Sequence, residues 1–165
     1  MKIIPSEKIE LATGLSKQEV RKILQENIRP KKGLTIGFNK PKDDKLFEGI
    51  FEQDKFEIQR IIKGRNSFLP QIKGQIQTDI NGTKLILDLK IKGFVIIFLI
   101  FWLGFVSLAL IGTLVGISAQ GTNPLALIFP LIMIAFGIGL AYFGFNNEKD
   151  KSINDLRQIL NARIK

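Results

Sequence analysis

Between Phe94 and Phe145 the chain contains no Asp, Glu, Lys or Arg. Two apolar runs fill that interval, FVIIFLIFWLGFVSLALIGTLVGI at 94–117 and PLALIFPLIMIAFGIGLAYFGF at 124–145. The SAQGTN link at 118–123 is too polar to join either run and too short to fold alone. Crossing a hydrocarbon core of about 30 Å takes about 20 apolar residues as a helix. Each run meets that length, so a transmembrane helical hairpin is expected over 94–145.

The hairpin divides the remaining residues into an amino-terminal part at 1–93 and a tail at 146–165. The first part carries 19 Lys and Arg against 12 Asp and Glu, the tail 5 against 3, and the link none. Lys84, Lys90, Lys92, Lys149 and Lys151 crowd the same two helix ends. By the positive-inside rule both termini are then cytoplasmic and 118–123 lies on the far side. The first residues, MKIIPSEKIELATG, lack the apolar core of a cleaved signal. The first span is therefore expected to serve as its own insertion signal.

Upstream of the hairpin the period of apolar residues changes twice. Lys8–Ala12 suits a short strand. Ser16 and Glu19 then form a capping box, and Leu15, Val20, Ile23, Leu24 and Ile28 share one helical face that Pro30 ends. Residues 31–45 are expected to be a surface loop with a short strand at 34–38. A basic patch facing anionic headgroups is the alternative, weakened by Asp43 and Asp44.

From Leu46 the period is two. Phe47, Gly49 and Phe51 take one face of a strand; Phe56, Ile58, Arg60 and Ile62 follow on the next. A third strand is expected from Phe68 to Ile80, with Pro70 marking an edge or bulge. Asn81-Gly82 gives a tight hairpin, and Leu85, Leu87, Leu89 and Ile91 define the last strand. The expected fold class is α+β, a small antiparallel sheet of four to five strands with one covering helix. The last strand runs into the first span at Gly93, which sets the sheet against the bilayer. In the tail, Ser152 and Asp155 resemble a second capping box, opening a short amphipathic helix much like the first.

Within the hairpin, Gly112 and Gly116 form a G-x-x-x-G pair, and Ala135/Gly139 and Gly137/Ala141 pair small residues on the second helix. Such faces let helix backbones approach closely. They are expected to pack the two helices together, with more small faces than one contact needs, so a homo-oligomer or a membrane partner is also expected to use them. Pro130 is expected to kink the second helix. Trp102 falls mid-helix, and Ser107 and Thr113 are the polar residues of the spans, which argues against a transporter or pump.

The chain has no cysteine and no histidine. That removes thiol nucleophiles, thiolate metal sites and the commonest general base. Asp43-Asp44 and Asp54/Glu57 are the nearest carboxylate pairs, and both fall at turns or on an exposed strand face. No enzymatic activity, cofactor or metal is expected. The basic charge is not interleaved with aromatic residues, so nucleic acid is not an expected partner.

Arg60-Ile61-Ile62, Arg65-Asn66-Ser67-Phe68-Leu69-Pro70, Ile72, Gly74 and Gly82-Thr83, running into an apolar helix with Trp102, together resemble a group of small uncharacterised bacterial membrane proteins. In that group a β-rich cytoplasmic domain with an R-N-S-F-L-P segment precedes a two-helix anchor. The resemblance spans roughly Leu46 to Trp102. It implies a bacterial inner-membrane protein and carries no assigned activity. Arg65, Asn66 and Ser67 read as turn chemistry, or, with Arg60, as a polar contact point for a partner or a lipid phosphate. The function expected on these grounds is a membrane-anchored interaction module. Its partners would be the bilayer, with anionic headgroups, and a membrane or cytoplasmic protein. A toxin-immunity protein and a lipid-binding or structural membrane oligomer are the alternatives.

Overall fold

The computed structural model describes residues 4–30, 45–121 and 123–165. Seven strands and three helices make an α+β fold with one mixed sheet: β1 (Ser6–Thr13), α1 (Lys17–Asn27), β2 (Ile28–Pro30), β3 (Phe47–Glu52), β4 (Lys55–Arg60), β5 (Gln71–Asp79), β6 (Gly82–Lys90), α2 (Gly93–Gln120), α3 (Ile128–Leu160) and β7 (Arg163–Ile164). The sheet order is β2-β3-β4-β5-β6-β1-β7. Neighbours are antiparallel except β2 and β3, which run parallel.

Four to five strands were expected, and the sheet has seven. The two additional edges explain the difference. β2 has three residues and β7 has two, each following a helix end, and neither is long enough to show a period of two. The expected strand at 34–38 and the lysine-rich segment around it lie outside the described residues. Strand β5 begins at Gln71 rather than at Phe68; Phe68, Leu69 and Pro70 belong to a loop described below.

Ser16 caps α1 as expected: its hydroxyl accepts from the Glu19 amide, and Glu19 returns a bond to the Ser16 amide at 2.8 Å. The apolar face of the sheet is built by alternation. Phe47, Phe56, Ile58, Ile72, Ile76, Leu85, Leu87, Leu89 and Leu11 are all at most 3% exposed. Gly74 faces Phe56 across the β4–β5 ladder, and a Cβ at Gly74 would overlap the Phe56 ring. The glycine makes room for the aromatic side chain.

Two helices cover this face rather than one. Val20 and Leu24 of α1 and Ile153, Leu156 and Leu160 of α3 lie in the same core. The tail is therefore not a separate helix. α3 runs without interruption from Ile128 to Leu160, joining the second apolar run to residues buried on the sheet. Ser152 sits mid-helix with its hydroxyl donating to the Glu148 carbonyl at 2.6 Å; it caps nothing. The Ser-x-x-Asp pattern at 152–155 is a helical face, not a helix start.

Pro130 also differs from expectation. A 3-10 turn at Pro124–Leu127, capped by the Asn123 side chain, leads into α3, so Pro130 falls in the first turn of that helix. There the missing amide has no intrahelical acceptor to lose.

Helices α2 and α3 are long and apolar enough to cross a membrane. The core helix of a water-soluble fold is mostly buried, whereas only 11% and 17% of their most apolar windows are covered. Phe94, Phe101, Phe105, Phe129 and Phe143 are each at least 70% exposed. The two helices meet along Val95, Leu99 and Val106 on one side and Gly137, Ala141 and Phe145 on the other. Trp102 lies over Gly137, where a Cβ would come within 3.1 Å of the indole Nε1. Gly137 and Ala141 thus form the packed small face. Ala135 is exposed, Gly116 is half-buried, and Gly112 and Gly139 look onto open space.

Candidate functional site

Alternation in β4 turns Phe56, Ile58 and Arg60 toward the helices. An arginine on an apolar face must find acceptors there. Arg60 Nε donates to Asp155 Oδ2 at 2.6 Å, and its Nη1 reaches Glu148 Oε2 at 3.3 Å. The two acidic residues stand seven apart on α3, two turns up one face. The hydrogen bond it donates to Asp155 outweighs partial burial and holds the guanidinium pKa above its ordinary value. Glu148 also takes Lys151 at 2.9 Å. Arg60 therefore ties the sheet to the carboxyl-terminal half of α3.

The R-N-S-F-L-P segment makes the second tie. Asn66 Nδ2 donates to the Gly144 carbonyl at 2.8 Å, while its Oδ1 accepts the Phe68 amide at 2.9 Å. Phe68 lies on Gly144 so closely that a Cβ there would come within 3.0 Å of the ring. Leu69 and Pro70 are buried beneath. One asparagine thus closes its own turn and grips α3 one residue before the apolar run ends at Phe145.

The same turn leaves its neighbours outward. Arg65 and Ser67 are exposed, and neither has a hydrogen bond or ion pair among the described residues. Arg21, Arg29 and Arg60, by contrast, all hold carboxylates. The four expected contact residues are therefore close in space but differ in state: Arg60 and Asn66 are engaged with α3, and Arg65 and Ser67 are open.

A cleft of about 330 Å³ runs beside them, with Arg29, Glu48, Gln59, Arg60, Arg65 and Ser67 in its wall. Glu48 accepts from Arg29 Nη2 at 2.9 Å and from the Gln59 amide. Burial pushes its carboxyl upward, but those two bonds and the charges of Arg29 and Lys92 outweigh it and hold the pKa below the usual glutamate value. Lys92 is the residue immediately before α2. The Asn66–Gly144 bond places the cleft beside the point where the apolar run of α3 reaches the α+β body.

Among the described residues no helix covers the sheet's other face. A shallower concavity of about 510 Å³ there is bordered by Ile50, Ile86, Lys8, Lys73, Glu57 and Asp88, with charges of both signs. Asp54 is held by Lys17 and Arg21, and Glu57 by Lys73 and Gln71. Each carboxylate thus has its own cations, and the pair does not converge on a shared point. Asp43 and Asp44 lie outside the described residues. No group of three or more potential metal-ligating side chains occurs among the described residues.

Sequence reasoning missed Asp155, Glu148 and Lys92 as neighbours of this region. The signal for the first two was present: an arginine in an apolar register, and two carboxylates at helical spacing downstream. Comparison with protein-family models, with curated proteins and with solved structures returned no match in any of the three.

Proposed function

We propose that this chain is a membrane-anchored interaction module. In this reading α2 and α3 cross a bacterial cytoplasmic membrane as a hairpin, with both ends of the chain in the cytoplasm. The α+β body is then held at the inner face, and its helix-free sheet surface and the Arg65–Ser67 turn are offered to other molecules. The observation that carries the reading is the continuity of α3. One helix of 33 residues begins as an exposed apolar rod and ends with Leu156 and Leu160 buried on the sheet. A domain joined to its anchor by an unbroken helix, and tied again through Arg60 and Asn66, keeps a fixed face toward the bilayer. A flexible linker would instead let it swivel.

Single cysteines test the topology, because the chain has none of its own. Asn81→Cys, in the exposed β5–β6 turn, and Gln120→Cys, at the end of α2, are expected to react from opposite sides in intact cells. Labelling of Gln120→Cys only after the cytoplasm is opened would overturn the arrangement. Photo-crosslinkers at Ile50 and Lys73 test the interaction role. A discrete protein adduct, lost from the Lys73 crosslinker on Ile50→Glu, supports it; lipid adducts alone would move the reading to a lipid-binding or structural role.

A further inference from the structure

We propose that Arg65, together with Ser67, is a docking point for the phosphate of an anionic membrane lipid. The inference rests on the reading that α2 and α3 span a bilayer.

Depth comes first. Asn66, between the two residues, is bonded to the carbonyl of Gly144 at 2.8 Å. Consecutive Cα atoms lie about 3.8 Å apart, so Arg65 and Ser67 are held near the level at which the apolar run of α3 gives way to Asn146, Asn147 and Glu148. In the spanning reading that level is headgroup height, and the Asn66–Gly144 bond sets the turn there. Phe68 lies against Gly144 at the same level.

Charge state comes second. Arg29 and Arg60 line the cleft, but each already holds a carboxylate at 2.6–2.9 Å. Arg65 has no such partner among the described residues. Among the described residues no acceptor occupies its guanidinium, whose planar fork matches two phosphate oxygens, and the Ser67 hydroxyl adds another donor beside it. The anchoring of Asn66 to α3 fixes the turn in advance, which lowers the ordering cost of binding. A free phosphate ester offers the same oxygens. The depth of the turn favours the lipid, whose phosphate is confined to that plane.

The test uses the full chain in nanodiscs of phosphatidylcholine with a minor fraction of phosphatidylglycerol, followed by native mass spectrometry of the lipids that remain bound. Wild-type protein is expected to retain phosphatidylglycerol above its share of the disc. Arg65→Gln should reduce that enrichment about fivefold, the worth of one arginine near an anionic surface. Arg163→Gln removes an exposed arginine at the opposite end of the sheet, beside Ala12 rather than Ser6, and should leave it unchanged. Equal loss in both variants, or none in Arg65→Gln, would overturn the proposal. So would loss of the enrichment on adding glycerol 3-phosphate, which would assign the site to a soluble ester. Unchanged thermal unfolding of Arg65→Gln shows that folding is intact. Correct labelling at Asn81 and Gln120 without lipid preference would sink this inference alone, whereas reversed labelling would sink the anchoring itself.

Discussion

Arg60 Nε and Asp155 Oδ2 are 2.6 Å apart across 95 residues of sequence. The bond joins the third strand in sheet order to the helix that continues the second apolar span. Both side chains are about three-quarters covered, so the pair is neither a solvated surface contact nor a deeply buried one. Arg60→Ala is expected to lower stability by about 1–3 kcal/mol, because it removes the cation that Asp155 holds and leaves Glu148 with Lys151 alone. Combined with Asp155→Ala, the loss should be less than the sum of the single losses. Denaturant unfolding of the four proteins of that cycle measures the coupling, and strict additivity would show that the bond contributes nothing.

The two faces of the second apolar helix should respond differently to the same substitution. Gly137→Leu would drive a side chain into Trp102, for which about 1–3 kcal/mol of overpacking cost is expected. Gly139→Leu meets open space and should leave the unfolding of the monomer within about 0.5 kcal/mol. If copies associate through the outer small face, Gly139→Leu and Gly112→Leu should each shift the oligomer distribution in mass photometry without changing that stability. Equal destabilisation at 137 and 139 would mean that the helices pack on a different face.

Much of this fold was legible because its signals are local. The charge-free runs, the Ser16–Glu19 box, a tight hairpin near Asn81 (its turn on Ile80-Asn81, with Gly82 opening β6) and the alternation from Phe47 to Ile91 each state a backbone geometry within a few residues. What stayed hidden depends on distant partners. β2 and β7 exist only because a neighbouring strand accepts them, and two or three residues carry no period. The tail looked like a new helix because Ser152 and Asp155 match a cap, yet no breaker separates them from Phe145, so the helix simply continues. At the candidate site, Arg60 was visible as a charge in an apolar register. Its pairing with Glu148 and Asp155, and the grip of Asn66 on Gly144, required knowing that α3 returns over the sheet.

Asn66 makes a prediction that separates turn chemistry from docking. Asn66→Asp preserves the acceptor for the Phe68 amide but replaces the donor to the Gly144 carbonyl with a charge. A turn that mattered only locally would tolerate it. The docked turn should lose about 1–3 kcal/mol from an unsatisfied and repelled carbonyl. Gly144→Val, which crowds Phe68 and Asn66 from the other side, should release the same loop. Hydrogen exchange at the Phe68 and Leu69 amides, bonded now to Asn66 Oδ1 and Asn66 O, should rise in both variants while the β5–β6 ladder stays protected.

Acid should loosen the cleft through Glu48. Its carboxyl is buried enough to be pushed upward, yet the bonds from Arg29 and Gln59 bring its folded pKa below the usual glutamate value. A carboxylate depressed on folding stabilises above its unfolded value, and that contribution is lost as pH falls through the lower folded value. Stability should therefore be flat in this respect above about pH 5 and decline from about pH 4.5 downward. Glu48→Gln keeps an acceptor but cannot titrate, so it should cost about 1 kcal/mol at neutral pH, where the ion pair with Arg29 is partly screened. The same variant should show a shallower acid limb than wild type. Unfolding midpoints measured across that range test the sign directly: an unchanged limb in Glu48→Gln would assign the acid sensitivity to the exposed pairs at Asp54 and Asp79 instead.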